Sequence, residues 1–310
     1  YGSAAGQKPV QIYNAYESLD EPGEWYYDQM SGRLYIYPFA DTTRNSTLRM
    51  RSSNFDLISV NGASYLNLEG LTVTSSKKDG IVMNNVDHCV IENCTLTSFE
   101  GRAVSIDNAT YSGLKNSEVA YTSISAIYLN GGDYQTMEPG YDFITNCRIH
   151  DTNQYRTMNE GGVKFRGVKN TFSNNEVYNI TDMALNFAIV GGGPTSLDCV
   201  IENNSFHDVV LNGKDMGAVY GARCQGVVIR NNHFYNIANN DSSFPSFSAN
   251  AVYLDDGLSG ATITGNIFGP GASGDYIEAV KINCGHDTVI TNNLFIDTRC
   301  AFNVYIAGNF

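Results

Sequence analysis

The sequence predicts an all-β protein built as a parallel β-helix. A six-residue motif recurs along the chain at intervals of about 23 to 34 residues, which is the period of a solenoid. Short segments of alternating apolar and polar residues recur with it, and helical periodicity is almost lacking. Successive coils of one solenoid therefore account for most of the 310 residues.

The recurring motif reads apolar, polar, Asn or Gly, small or polar, any residue, apolar, as in IENCTL, ITNCRI and IRNNHF. Asn and Gly tolerate the left-handed backbone conformation, so the column at the third position marks one tight bend in every coil. We expect this column to be buried at the bend. Its members are Gly70, Asn93, Asn116, Asn146, Asn174, Asn203, Asn231, Gly265 and Asn292.

A second column consists of strands such as AIYLNG, GVKFRG and AVYLDD. Period-two alternation predicts that the second and fourth residues of each strand point into the core. The second residues are Ile81, Val104, Ile127, Val163, Leu185, Val219, Val252, Val280 and Phe302. The fourth residues are Met83, Ile106, Leu129, Phe165, Phe187, Gly221, Leu254, Ile282 and Val304.

The alternate residues of these strands should face solvent along one strip, because in-register strands project equivalent positions to the same side. The strip carries Tyr128, Lys164, Asn186, Tyr220, Tyr253 and Lys281, with Asn130, Arg166, Asp255 and Asn283 beside it. Tyrosine rings next to a carboxylate suit the binding of a sugar. The alternative is a structural tyrosine ladder with ordinary solvated cations.

Residues 1–50 precede the clear repeats and are predicted to form a small β-rich module, a hairpin around DQMSGR, packed on the solenoid. Residues 51–310 are predicted to form about nine coils. Because the last strand is followed by no capping element, we expect the chain to be part of a longer protein.

Composition limits the partners. A formal charge of −13 disfavours nucleic acid, and no apolar run is long enough to span a membrane. The seven cysteines show no CxxC pair or zinc spacing and are interpreted as buried thiols. No cofactor or metal is predicted, and Ca²⁺ is left open without being indicated. Abundant Tyr, Asn and Gly suit a secreted, periplasmic or cell-surface protein facing polysaccharide.

Several longer segments resemble a group of right-handed β-helix carbohydrate-active proteins. NAYESLDEPGEWYYDQMSGRLYIYP is similar to an N-terminal element of that group, and KDMGAVYGAR, VIRNNHFYNI, AVYLDDGLSG and INCGHDTVITNNLFID are similar to its later motifs. The group includes glycoside hydrolase family 141 and, more distantly, looks like family 120. The resemblance implies the right hand of the helix and an activity on polysaccharide or oligosaccharide.

Carried over by motif, Asp215 of KDMGAVY and Asp255 or Asp256 of YLDDG match acidic positions of family 141, and Glu278 of YIEAV matches family 120 more loosely. Two departures are evident: YGARCQG lacks the acid that follows the arginine in the family, and INCGHD lacks an arginine. The candidate catalytic residues are thus Asp215, Asp255, Asp256 and Glu278. The candidate substrate-binding residues are Tyr128, Lys164, Arg166, Tyr220, Arg223, Tyr253 and Lys281.

Glycoside hydrolysis needs one protonated carboxyl and one carboxylate, about 5 to 10 Å apart, and adjacent coils provide such separations. A glycoside hydrolase acting on a plant or microbial polysaccharide is therefore the leading hypothesis. A polysaccharide lyase acting on a uronate, through Lys164, Arg166, Tyr220 and Lys281, is one alternative. A non-catalytic glycan-binding β-helix, in which DDG merely starts a turn through Asx hydrogen bonds, is another.

Overall fold

The computed structural model describes residues 14–43, 46, 50–51, 53–155, 160–187, 196–211, 215–237, 249–270 and 278–306. The chain divides into two compact units, Tyr1–Arg49 and Met50–Phe310. The described helical structure is one 3-10 turn, Tyr16–Ser18, and no helix in the described ranges is long and apolar enough to cross a membrane.

The first unit contains an antiparallel hairpin formed by β1 (Trp25–Asp28) and β2 (Arg33–Ile36). Asp28 Oδ1 accepts a hydrogen bond from the Met30 N–H at 2.9 Å, and Gly32 takes the left-handed conformation that closes the turn. The predicted hairpin is confirmed, and its packing on the solenoid remains a prediction.

The second unit is the predicted parallel β-helix, in which each coil crosses three sheets in turn. Sheet 1 consists of β3 (Ile58–Asn61), β6 (Ile81–Asp87), β9 (Val104–Thr110), β12 (Ile127–Asp133), β16 (Val163–Val168), β19 (Leu185–Asn186), β23 (Met216–Ala222), β26 (Ala249–Asp255), β29 (Glu278–Asn283) and β32 (Cys300–Tyr305). Two short strands, β13 (Glu138–Pro139) and β20 (Ser196–Leu197), pair with β12 and β16.

Sheets 2 and 3 each contain nine described strands. Sheet 2 consists of β4 (Asn67–Glu69), β7 (Val90–Glu92), β10 (Gly113–Lys115), β14 (Phe143–Thr145), β17 (Thr171–Ser173), β21 (Val200–Glu202), β24 (Val228–Arg230), β27 (Thr262–Thr264) and β30 (Val289–Thr291). Sheet 3 consists of β5 (Thr72–Ser76), β8 (Thr95–Phe99), β11 (Glu118–Thr122), β15 (Arg148–Thr152), β18 (Glu176–Ile180), β22 (Ser205–Val209), β25 (His233–Ile237), β28 (Ile267–Phe268) and β31 (Leu294–Phe295).

The core lies between the three sheets and follows the predicted alternation. The inward residues of sheet 1 are buried from Ile81 through Ile282. Phe302 and Val304 of β32 are the exceptions, with exposed fractions of 55% and 51%. The described residues include no strand beyond β32 to cover them, so their predicted burial is wrong.

At the bend between sheets 2 and 3, the predicted burial of the Asn column is wrong. The Asn column takes the left-handed conformation, as expected, but its side chains are exposed, for example at Asn174 and Asn203. The following residue points into the bend, and from Asn175 onward it forms a ladder of side-chain amides through Asn204, Asn232, Asn266 and Asn293. These amides satisfy backbone groups that the bend removes from the sheets.

A second ladder lies at the bend between sheets 1 and 2, where Asp142 is fully buried. Its Oδ1 accepts a hydrogen bond from the Ser112 N–H at 2.8 Å, and its backbone N–H donates to Asn170. Its Oδ2 is buried without a hydrogen-bond partner. Burial raises the pKa of Asp142 to about 7, because the interior disfavours the carboxylate.

The amide ladder predicts different effects for two adjacent residues. Asn204→Ala removes an amide that bonds Asn175, Asn232 and the Phe172 carbonyl, and should lower the free energy of unfolding by about 2 to 5 kcal/mol. Asn203→Gly should change it little, because glycine accepts the left-handed backbone. Chemical denaturation of both variants measures this, and equal effects would contradict the assignment of the ladder.

Asp142 predicts a pH dependence of stability. Its folded pKa of about 7 lies above the ordinary aspartate value of 3.8, so its contribution is complete below about pH 4 and is lost as the pH rises through 7. The loss amounts to a few kcal/mol at about 1.4 kcal/mol per pKa unit. Asp142→Asn should therefore have a higher Tm than the parent at pH 8 and a similar Tm at pH 4. A parallel pH dependence in both proteins would contradict this.

Candidate functional site

The predicted strip on sheet 1 is present and in register. Tyr128 pairs with Lys164, Lys164 with Asn186, Asn186 with Tyr220, Tyr220 with Tyr253, and Tyr253 with Lys281. In the adjacent row, Asn130 pairs with Arg166, Ala222 with Asp255, and Asn283 with Tyr305. The structure therefore brings these candidate residues to one face of the solenoid, which we call the groove face.

Two residues of the strip do not face solvent as predicted. Tyr253 and Asn186 are each 2% exposed. Lys281 Nζ lies 4.2 Å from the centre of the Tyr253 ring, and the Tyr220 ring meets that ring edge-on at 5.3 Å. Since these groups cover Tyr253, the prediction that it presents a bare aromatic face to a sugar is wrong.

Asp255 is the most strongly engaged carboxylate of the groove face. Its Oδ2 accepts a hydrogen bond from the Tyr220 hydroxyl at 2.8 Å, and its Oδ1 accepts one from the Asn283 amide at 2.7 Å. The Asp256 N–H also donates to Oδ1, at 2.8 Å. Both oxygens thus act as acceptors, and the three donors hold the side chain in one orientation.

The tyrosines beside Asp255 are held in their protonated form. Burial raises the pKa of Tyr220 well above its usual range, and the hydrogen bond to Asp255 raises it further. Burial likewise raises the pKa of Tyr253, with the negative charges of Asp215 and Asp255 adding to the effect. Both hydroxyls are therefore proton donors at neutral pH.

Two lysines of the strip are each paired with a carboxylate. Lys281 Nζ lies 2.9 Å from Asp215 Oδ1, and Lys164 Nζ lies 2.7 Å from Glu160 Oε2. Asp215 is largely exposed, so the first pair stabilises the fold only modestly. The second pair is mostly buried, and the Ser125 hydroxyl also donates to Glu160.

Asp182 binds the backbone that carries Glu160, the partner of Lys164. Its carboxylate accepts hydrogen bonds from the N–H groups of Glu160 and Gly161, and it is fully buried. Burial raises the pKa of Asp182 to about 6. Asp182 is thus a positioning residue that fixes the backbone from which Glu160 reaches Lys164.

The two acids of YLDDG lie in different surroundings. Asp255 ends β26 on the groove face, whereas Asp256 takes the left-handed conformation at the following bend. Asp256 Oδ2 lies 3.2 Å from Arg223 Nη2, and both side chains are more than half exposed. Arg223 and Asp256, together with His286, line an open pocket of about 330 Å³ at that bend. The turn after Asp255 is closed by a backbone hydrogen bond from the Leu258 N–H to the Asp255 carbonyl, at 3.2 Å.

Glu278 begins β29 next to the groove strip. Its Oε1 accepts hydrogen bonds from the Asn303 amide at 3.1 Å and the Tyr305 hydroxyl at 3.4 Å. Its Oε2 is buried and has no hydrogen-bond partner. The hydrogen-bonding capacity of this oxygen is therefore unused within the described residues.

Sequence reasoning missed Glu160 and Arg102. Both lie just before a strand of sheet 1, as Asp215 does, so the position before the strand was the available signal. No group of three or more His, Cys, Asp or Glu side chains within the described ranges is arranged to hold a metal.

The comparisons with known proteins bear on the fold. Residues 56–153 match the family described as "Right handed beta helix region". No curated protein matches the chain. These findings agree with the right-handed β-helix, and the resemblance to glycoside hydrolase families 141 and 120 remains a prediction.

Several solved structures are similar to this chain at low sequence identity. An alginate lyase from Paenibacillus sp. str. FPU-7 is 14% identical, has a TM-score of 0.53, and is matched over 74% of this chain and 76% of its own. The Dettilon tailspike protein is 15% identical, with a TM-score of 0.43 and coverages of 82% and 55%. The A-module of a mannuronan C-5 epimerase from Azotobacter vinelandii is 13% identical, with a TM-score of 0.35 and coverages of 77% and 58%.

The hydrogen bond between Tyr220 and Asp255 predicts a titration result. Asp255→Asn removes the charge and the acceptor that favour the protonated phenol, so the pKa of Tyr220 should fall. Tyrosine ring carbons observed by NMR across an alkaline titration measure this, with Tyr220→Phe identifying the signal. The tyrosines of the hairpin are the internal control, and an unchanged Tyr220 titration would contradict the contact.

Proposed function

We propose that this protein is a secreted glycoside hydrolase that acts on a polysaccharide bound along the groove face. The observation that carries the proposal is the Asp255 carboxylate, fixed on this face by Tyr220, Asn283 and the Asp256 N–H. Hydrolysis of a glycosidic bond needs such a preoriented carboxylate, either as nucleophile or as the base that activates water.

Glu278 is our candidate for the general acid. Asp215 matches its motif more closely than Glu278 does, but one oxygen of Asp215 is already engaged in an ion pair with Lys281. Glu278 is held instead by two neutral donors, the Asn303 amide and the Tyr305 hydroxyl, and no ion pair among the described residues engages it. Lys281 and Tyr220 then orient the sugar between the two acids.

The lyase alternative requires a base that takes the C5 proton of a uronate. Tyr220 is poorly suited to this role, because burial and Asp255 hold it protonated, and Lys164 and Lys281 are engaged by carboxylates. Because the fold is shared with an alginate lyase, the products should still be assayed for both reactions. A lyase yields an unsaturated sugar that absorbs in the ultraviolet, whereas a hydrolase yields reducing ends alone.

The two acids of YLDDG provide a matched test. On a panel of plant and microbial polysaccharides, Asp255→Asn should lower reducing-end release by about 100- to 10,000-fold, because it removes the charge of a catalytic carboxylate. Its Tm should change little, because the amide keeps the size and can still accept from Asn283 and the Asp256 N–H.

Asp256→Asn makes the same chemical change at the exposed bend and is the control. It should retain most of the turnover, because it removes only a surface ion pair with Arg223. Equal turnover in the parent and the Asp255→Asn variant would contradict the assignment of Asp255. Products that absorb in the ultraviolet would show that the protein is a lyase and would contradict the hydrolase proposal.

A further inference from the structure

The groove face carries a second polar cluster that the proposed catalysis does not use. It consists of Tyr128, Arg166 and Arg102, at the end of the strip toward the N-terminus. From the coil of Arg166 to that of Asp255 there are three register steps, through Asn186 and Tyr220. At a strand spacing of about 4.8 Å, the cluster lies about 14 Å along the groove from Asp255.

Arg166 is the member without a partner. Its Nε is buried and makes no hydrogen bond, and no acid among the described residues forms an ion pair with its guanidinium. Lys164, Lys281, Arg102 and Arg223 each have a carboxylate within 4.0 Å. A partly buried guanidinium without an acceptor is costly, so its place on the groove face points to an acceptor supplied by a ligand.

The groups around Arg166 suit a sugar that carries an anion. Arg166 pairs with Asn130, two residues beyond Tyr128 in β12, so Arg166 and Tyr128 are diagonal neighbours on the groove face. Burial raises the pKa of Tyr128, and the positive charges of Arg166 and Arg102 oppose that rise. The Arg102 guanidinium carbon lies 5.4 Å from the centre of the Tyr128 ring, and the Nε of Arg102 is also buried without a partner. The nearest acid of the row, Asp107, already accepts a hydrogen bond from Asn130.

We propose that Arg166, with Tyr128 and Arg102 beside it, binds the carboxylate or sulfate of an acidic sugar, and that the substrate is therefore an anionic polysaccharide. This inference rests on the proposed function of the groove and specifies its substrate class. Arginine recognises carboxylate and sulfate oxygens through paired N–H donors, and the tyrosine ring packs against the sugar. The overall charge of −13 repels a polyanion, so any preference for an acidic over a neutral glycan depends on the local positive charge of Arg166.

The test is calorimetric titration of the intact chain with polygalacturonate oligosaccharides, their methyl esters and a sulfated galactan. The esters remove the charge while keeping the sugar, so they should bind at least about 10-fold more weakly, the loss expected for a hydrogen bond to a charged group. Arg166→Gln should weaken binding of the acidic glycan by about 10- to 100-fold and leave the ester unchanged. Arg148→Gln, which removes the same charge from sheet 3, should leave both affinities unchanged.

Binding of the sulfated galactan alone would identify the anion as a sulfate ester and uphold the site. Equal binding of acid and ester by the intact chain would overturn the inference, a result that needs no folded variant. Equal loss in Arg166→Gln and Arg148→Gln would also overturn it. If acidic glycans bind through Arg166 but no glycosidic bond is cleaved, the hydrolase proposal fails and the subsite stands. If the protein instead cleaves neutral glycans and Arg166→Gln does not change that cleavage, the hydrolase proposal stands and the anionic subsite fails.

Discussion

The register between neighbouring coils is the constraint on which the rest of this structure depends. Each strand of sheet 1 pairs in parallel with the strand one coil away, so side chains distant in sequence become neighbours about 4.8 Å apart. A shift of one residue would exchange the core and groove faces of a strand. The buried amide ladder and the apolar core oppose such a shift, and in doing so they hold Asp255 beside Tyr220 and Asn283.

Most charged side chains of the groove face form local ion pairs, so the face does not carry charges of one sign only. Lys281 is paired with Asp215 at one end, and Lys164 with Glu160 farther along. The Lys164–Glu160 pair is mostly buried. A buried pair contributes little net stability, yet removal of one partner leaves the other charge buried and unpaired, so this pair fixes geometry more than it raises the free energy of unfolding. Arg166 departs from this pattern, which is why it stands out as a position for an external anion.

Much of the fold could be predicted from the sequence, because period-two alternation and the Asn and Gly column report directly on strands and bends. The same column misled on burial: at a left-handed residue the side chain turns outward, and the next residue, such as Asn204, fills the bend. The strip residues could be predicted because period-two alternation determines the face of the sheet to which each side chain points. The burial of the Tyr253 ring could not be predicted, because it depends on the side-chain conformation of Lys281 in the next coil. Glu160 was missed because its contact with Lys164 is set by Asp182, 22 residues later in the chain.

The most direct test of the account is the location of a bound glycan. A crystal structure of the Asp255→Asn variant with an oligosaccharide of its best-binding polysaccharide should show the chain lying across the strands of sheet 1, with one sugar against residue 255 and the ring of Tyr220. An oligosaccharide bound on sheet 2 or sheet 3, with the groove face empty, would contradict the assignment of this face as the functional site.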